Sequence, residues 1–260
     1  MPGRRSRHDA DAGGDPALLA AKAAVREEVW AALDVPGVAR FPKPANRIPN
    51  FVGADAAARR LAEQDEWQQA EAIKANPDSP QWPVRTRALE DGKVLFMAVP
   101  RLAKPEPFFL LDPARLADPP RKASSIKGAS RSARRVGVEE LTPVDLVVTG
   151  CVAVDSSGAR LGKGGGFSDL ELAVAASAGL VDERTVVVTT VHEHQIVERG
   201  LIPTTAHDIH LDLIVTTERV LRCPRPSSWR LPTIDWDELT HEKVAAIPLL
   251  TRLAAERRSS

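Results

Sequence analysis

The chain has 260 residues, enough for one well-buried core or for a domain of about 200 residues with tails. Hydrophobic residues make up 43% and charged residues 27%, the balance of an ordinary soluble globular protein. Lysine plus arginine and aspartate plus glutamate both number 35, so global charge points to neither nucleic acid nor membrane, and any such claim needs a local patch.

The two cysteines, Cys151 and Cys223, are far apart and form no CxxC pair, which excludes a disulfide framework and a zinc ribbon. No apolar run reaches the roughly 18–20 residues that span a bilayer. The opening MPGRRSRH is similar to the basic start of a signal peptide, but acidic residues and Lys22 interrupt the stretch that would have to be apolar. A cytoplasmic location is expected.

Residues 1–16 are charged and glycine-rich, and a disordered tail is expected there. Residues 16–33 have helical periodicity, with Leu18, Leu19, Val25, Val29, Trp30 and Leu33 on a broad face. Gly37 and a run of prolines end it. A second helix is predicted over residues 55–75, followed by a turn-rich link, NPDSPQWP. Residues 93–99 (KVLFMAV), 145–154 (DLVVTGCVAV), 185–191 (TVVVTTV) and 211–216 (LDLIVT) read as strands. Continuous apolar strands separated by helices suggest a parallel sheet covered on both faces. The folded domain is expected over residues 17–223. Residues 224–260 are expected to form a C-terminal extension with one short helix.

The segment RLGKGGGFSD, residues 160–169, carries the chemistry. Gly162, Gly164, Gly165 and Gly166 fall within five positions, a density that costs about 1 kcal/mol per residue inside a helix or strand. It suits a backbone that passes close to a ligand. Ser168 and Glu171 fit an S-x-x-E capping box, with Ser168 as the predicted N-cap. A strand, a glycine loop and a helix start together make an anion site. Arg160 and Lys163 add positive charge, and Asp169 adds an oxygen suited to magnesium. The string by itself also fits a glycine-rich turn beside an exposed lysine. It is not a Walker A loop, because Gly164 follows Lys163. It is not a dinucleotide fingerprint either, because Phe167 stands where glycine is required.

The stretch DSSGARLGKGGGFSDLELA resembles the signature of the 5-formyltetrahydrofolate cyclo-ligase (methenyltetrahydrofolate synthetase) family, D-x-x-G-x-R-L-G-x-G-x-G-Y-Y-D. Gly158, Arg160, Leu161, Gly162, Gly164, Gly166 and Asp169 match. Lys22 and Arg26 fit the family's K-x-x-x-R, and Gln195, His207-Asp208 and LDLIVT fit its downstream segments. The resemblance covers residues 18–222. It looks closest to the methenyltetrahydrofolate synthetase domain-containing subgroup, through FPKP, RIPNFVGA, KANPD, Val84-Arg85, Pro100-Arg101-Leu102 and GKGGGFSDLE.

The resemblance implies a three-layer α/β/α domain with a mostly parallel sheet. It also implies an ATP- and Mg²⁺-dependent reaction in which ATP phosphorylates the formyl oxygen of 5-formyltetrahydrofolate. N10 then attacks, and phosphate leaves to give 5,10-methenyltetrahydrofolate and ADP. Lys22 and Arg26 would contact ATP phosphates. Arg160, Leu161, Gly162, Lys163, Gly164, Gly165, Gly166, Phe167 and Ser168 would wrap the triphosphate, with Arg160 and Lys163 the catalytic candidates. Asp169 would hold magnesium and Asp208 would be a second metal contact. The chain departs from the family at Phe167, Ser168 and Leu170, where an aromatic pair and a basic residue are lost. It departs again at Pro83-Val84-Arg85-Thr86, where the folate-contacting glutamate of E-[VI]-x-T has no counterpart.

Other clusters have more than one reading. His192-Glu193-His194, with His207 and His210 after it, would put two imidazoles on one side of a strand. It reads as polar lining of a cleft, with zinc the lesser alternative, since neither HExxH spacing nor a cysteine pair accompanies it. Arg121, Lys122, Lys127, Arg131, Arg134 and Arg135 cluster in residues 121–135. That segment reads as a mobile solvated loop, a lid over phosphates or a folate tail, or a nucleic-acid patch. No aromatic residue is interleaved with these cations, which argues against stacking on a single strand. The expected function is an ATP-dependent cyclo-ligase acting on a reduced folate. The alternative is a non-catalytic nucleotide- or RNA-binding protein that keeps the fold.

Overall fold

The computed structural model describes residues 15–99, 102–205, 208–237 and 239–259. The expected N-terminal tail, up to residue 14, lies outside the described residues, as do Pro100, Arg101 and His207 of the matching segments. Helix α1 (Pro16–Leu33) starts where Asp15 accepts a hydrogen bond from the Ala17 amide and Pro16 fills the first helical position. Its stripe Val25, Val29, Trp30 and Leu33 is buried, as the periodicity predicts.

The helix predicted over residues 55–75 is three elements: α2 (Ala54–Ala62), α3 (Asp65–Gln69) and strand β1 (Ala72–Ala75). Ala72 to Ala75 are good helix formers. They form a strand because they lie between two parallel neighbours and are buried on both faces, so packing overrides local preference. The link expected after it contains a single 3-10 turn, Ser79–Gln81, and then α4 (Trp82–Glu90). Strands β2 (Val94–Ala98) and β3 (Phe108–Leu111) follow.

The basic segment is not a mobile loop. It forms α5 (Pro120–Ala123), α6 (Ile126–Ser132) and edge strand β4 (Arg134–Val136). Acidic neighbours take up part of its charge, with Lys122 and Arg131 on Asp118 and Arg134 on Glu140.

The strand predicted over residues 145–154 is two strands in two sheets, β5 (Leu146–Val148) and β6 (Ala153–Asp155). The chain leaves the main sheet at Gly150, where a Cβ would come within 3.0 Å of Asp78, Gln81 and Ile48. Then come β7 (Arg160–Leu161), α7 (Phe167–Ser177), β8 (Val186–Thr190), β9 (Ile196–Val197), β10 (Leu213–Val215) and β11 (Val220–Arg222). The C-terminal residues carry two helices rather than one, α8 (His241–Ala246) and α9 (Pro248–Ser259).

The main sheet has the order β11-β10-β8-β5-β1-β2-β3-β4. Strands β10, β8, β5, β1 and β2 run parallel, and β11, β3 and β4 pair antiparallel at the edges. Side chains alternate between two cores, as the period of a strand requires. Ile73, Leu95, Met97, Leu146, Val148 and Leu213 pack with α2, α3 and α4, while Phe96, Val147 and Ile214 pack with α7 and with Leu249 and Leu250 of α9. The result is a three-layer α/β/α domain with a mostly parallel sheet. A second small sheet, β7-β6-β9, packs with α1 around Val29, Trp30, Val152 and Leu161. No helix among the described residues is long and apolar enough to cross a membrane.

Candidate functional site

The glycine loop joins the small sheet to α7. Its upstream turn is built by Asp155, whose Oδ1 accepts from the amide and hydroxyl of Ser157 and whose Oδ2 accepts from the Gly200 amide. Gly158 has φ +90°, and a Cβ there would lie 2.6 Å from the Leu211 carbonyl oxygen. The D-x-x-G part of the motif is therefore a turn that sets where Arg160 emerges.

Arg160 is 4% exposed. Its guanidinium donates to Asp169 Oδ1 at 2.9 Å and to the Gly150 carbonyl at 3.0 Å. Burial works against its charge, but Asp169, together with Cys151 and Asp208, holds the guanidinium above its ordinary value. Arg160 thus ties β7, the end of β5 and the first turn of α7 together, and it puts a permanent cation beside the loop.

Helix α7 does not begin at Ser168. Its N-cap is Gly166, in the left-handed region at φ +63°, and Phe167 opens the helix. Ser168 and Glu171 have other partners, so the predicted capping box does not form. Asn76 Nδ2 donates to Ser168 Oγ at 2.7 Å, and Lys74 Nζ donates to Glu171 Oε2 at 2.7 Å. Lys74 is buried on β1, and a buried ammonium needs a counter-charge. Glu171 supplies it across the sheet–helix interface. Burial pushes the Glu171 carboxyl up against the pull of Lys74.

The loop separates two clefts. The first, about 1050 Å³ counted out to its solvent mouth, is lined by Lys22, Arg26, Arg160, Gly162, Gly164, Gly166, Asp169 and Asp208. The second, about 820 Å³ counted the same way, is lined by Ile48, Asn76, Asp78, Lys163, Gly165, Phe167, Ser168 and Glu171. Arg160, Gly162, Gly166 and Asp169 border both.

In the first cleft, Lys22 donates to both oxygens of Asp208, at 2.9 and 2.8 Å, and Arg26 Nε donates to the Gly162 carbonyl at 2.8 Å. A magnesium ion fits Asp169 better than Asp208. The hydrogen bonds to Asp169 from Arg160 and the Ile209 amide converge on Oδ1, which leaves Oδ2 for a cation. Asp208 has both oxygens on Lys22, and its Oδ2 also accepts from the Thr205 amide, so a metal there would have to displace Lys22. Leu161 is buried and its side chain packs in the core around α1.

Lys163 does not line the first cleft. It borders the second, with Nζ 3.6 Å from Asp78 Oδ1. In that second cleft Asn76 Oδ1 is buried with no hydrogen-bond partner among the described residues. An unsatisfied buried acceptor costs about 1–3 kcal/mol unless a ligand brings a donor. Pro83 stands where the family pattern has its glutamate, and Arg85, two residues on, lines neither cleft. It is buried on α4 and donates to the carbonyls of Asn76, Asp78 and Ser124. Burial pulls its guanidinium down to about 10, which keeps it charged at neutral pH. Its role is to shape the wall that carries Asn76 and Asp78. Asp78, Asp169 and Glu171 are the carboxylates lining this cleft.

The histidine cluster is not on a strand. His192 caps a 3-10 turn, Glu193–Gln195, and accepts from the His194 amide, while the His194 ring meets the Ala32 carbonyl of α1. Among the described residues, no three histidine, cysteine, aspartate or glutamate side chains gather to hold a metal. Gln195, one of the matching residues, donates to the carbonyls of Cys151 and Val152 and so joins the ends of β5 and β8.

Sequence reasoning missed Lys74, Asn76 and Asp78 as site residues, although KANPD was visible as a matching segment. It also missed the residues after Cys223 that enter the first cleft: Thr233, Ile234, Asp235, Leu239 and Lys243. Nothing in their local pattern marks them.

The sequence model of the 5-formyltetrahydrofolate cyclo-ligase family matches residues 16–217. The chain is 36% identical to the methenyltetrahydrofolate synthase domain-containing protein of Bos taurus over 247 residues, covering 92% of this chain and 63% of that protein. It is 38% identical to the Mus musculus protein of the same name over 241 residues, covering 89% and 63%. The chain thus spans under two thirds of the length of these curated relatives. Among solved structures, the 5,10-methenyltetrahydrofolate synthetase of Aquifex aeolicus aligns with a TM-score of 0.51 at 20% identity, covering 80% of this chain and 96% of that one. That likeness is one of fold.

Proposed function

The chain belongs to the 5-formyltetrahydrofolate cyclo-ligase family, and from that premise we propose that it closes 5-formyltetrahydrofolate to 5,10-methenyltetrahydrofolate at the expense of ATP. The observation that carries this reading is the loop of residues 162–166 standing between two clefts, with Arg160 and Asp169 bordering both. A phosphoryl transfer needs donor and acceptor in contact and in line beside charge-stabilising groups, which the shared border of the two clefts would supply.

ATP would occupy the first cleft, its phosphates meeting Lys22, Arg26, Arg160 and the loop amides. The folate would occupy the second, where Asn76 Oδ1 can accept from an N–H of the pterin ring. The formyl oxygen takes the γ-phosphoryl group and ADP is released. N10 of the folate then adds to the activated carbon and gives up its proton to solvent, and the carbon–oxygen bond breaks as phosphate departs. Arg160 holds positive charge at the border of the clefts throughout, and Lys163 offers a second cation from the folate side. A magnesium ion on Asp169 would neutralise part of the phosphate charge.

The test is an ATP-dependent rise of methenyltetrahydrofolate absorbance from 5-formyltetrahydrofolate with purified protein. Turnover that falls at least a hundredfold in Asp169→Asn supports the proposal. No turnover above a blank, with Asp169→Asn indistinguishable, overturns it. ATP binding without turnover would favour a non-catalytic nucleotide-binding role on the same fold.

A further inference from the structure

Asn76 and Asp78 follow the C-terminal end of β1 and line the second cleft. One buried side chain fixes both backbones, because Arg85 donates to the main-chain carbonyls of Asn76 and Asp78. The Asn76 amide is also tied to the Val148 carbonyl of β5 at 3.0 Å. Gly150 makes room for the carboxylate. A Cβ there would stand 3.0 Å from Asp78 Oδ2, so a larger residue would press on it.

The atoms that these two residues offer to a ligand are acceptors. Asn76 is 3% exposed, and its Nδ2 donates to Ser168 Oγ, which leaves Oδ1 buried and unsatisfied. An ionised carboxylate is acceptor-only, with about four lone-pair sites. Lys163 Nζ stands 3.6 Å from Asp78 Oδ1, beyond hydrogen-bond reach, and no described residue donates a hydrogen bond to either oxygen. The other carboxylates of this cleft are engaged, Glu171 by Lys74 and Asp169 by Arg160 and the Ile209 amide. Ile48 and Phe167 add apolar surface. Such a cleft suits a flat, partly apolar ring whose edge carries N–H donors side by side. An anionic group is the wrong partner for this wall, because it would bring acceptors to acceptors.

We infer that Asp78 is a specificity-determining residue of the second cleft. It reads the exocyclic amino group of a 2-amino-4-oxopyrimidine ring, beside the ring N–H that Asn76 Oδ1 accepts. This rests on the reading of the second cleft as the folate site, since the pterin carries that amino group. A hydrogen bond to a charged acceptor is stronger than one between neutral groups, so the carboxylate dominates the choice of ring.

The experiment is calorimetric titration of the full chain in magnesium and a non-hydrolysable ATP analogue. The ligands are 5-formyltetrahydrofolate and its 2-desamino analogue, in which hydrogen replaces the 2-amino group. The proteins are the unaltered chain, Asp78→Ala and Asp78→Asn, with thermal unfolding measured alongside. The unaltered chain is expected to bind the desamino analogue about tenfold or more weakly. That preference should disappear in Asp78→Ala and shrink in Asp78→Asn, which keeps a neutral oxygen. A carboxylate that only held the cleft wall would weaken both ligands alike, so an unchanged preference in Asp78→Ala overturns the inference. If Asp78→Ala does not fold, an unchanged preference in Asp78→Asn overturns it. Equal affinity of the unaltered chain for the two ligands also overturns it and leaves the folate reading standing. No binding of 5-formyltetrahydrofolate by the unaltered chain overturns both.

Discussion

Arg160 and Asp169 stand at the two ends of the glycine loop and close it with a 2.9 Å ion pair, the arginine buried and the aspartate at the first turn of α7. The pair fixes the loop's span and presents one positive and one negative group to the clefts. Arg160→Ala would leave the buried Gly150 carbonyl without its donor and Asp169 with only the Ile209 amide. A loss of about 3–5 kcal/mol of stability is expected in urea unfolding. Asp169→Asn keeps a hydrogen-bond acceptor for Arg160 and should fold. It should also lose the part of ATP binding that depends on magnesium, measured by titration with and without the metal.

Lys74 and Glu171 are 97 positions apart and are both buried. Lys74→Met should be destabilising by about 3–5 kcal/mol, because it strands a carboxylate. The deficit should grow with pH. Burial already holds the Glu171 carboxyl above its unfolded value. A carboxyl raised in this way favours the folded state at low pH, and that contribution is lost as pH rises through the folded value. Urea midpoints of Lys74→Met should therefore be higher at pH 5 than at pH 8. Lys74→Met combined with Glu171→Leu should recover much of the loss, and a double variant no better than the single one would contradict this account.

Gly158→Ala forces a Cβ onto a residue at φ +90° and against the Leu211 carbonyl. A cost of about 1–3 kcal/mol is expected. The turn directs Arg160 into place, so ATP affinity should fall along with the melting temperature. Gly179→Ala is the control. Its φ is +70° but nothing lies within 4 Å of the added carbon, so it should show the strain without the effect on the site.

Both thiols are buried. Burial pushes Cys151 up, and Cys223 rises to about 11. Neither should be a thiolate at pH 8, so iodoacetamide should label the native chain slowly and both cysteines rapidly in denaturant. Mass spectrometry before and after unfolding measures this. Rapid labelling of the native chain would show that one thiol is more open than the fold implies.

Local pattern was enough for much of this protein. The glycine string, the cations around it and Asp169 were readable because density of glycine and charge is a property of ten consecutive residues. The strands over residues 93–99, 185–191 and 211–216 were readable because burial on both faces leaves continuous apolar runs. Pattern failed where a residue's partner is remote. The segment 72–75 has helix-forming composition and becomes a strand only because β2 and β5 flank it. Ser168 and Glu171 look like a capping box from their spacing, but Asn76 and Lys74, brought in by that strand, claim their side chains. Pro83 stands where the family's glutamate is expected, and only its three carbonyl partners make Arg85, two residues on, part of a wall.

The loop of residues 160–169 was thus open to being read by itself as a candidate anion site, because amides at a helix start and nearby cations are encoded side by side. Its division of the space into two clefts was not, and neither was the arrival of Lys243 from the far end of the chain. Those depend on how α1, β1 and the C-terminal helices pack around the sheet, and packing is a relation among distant residues that no local spacing records.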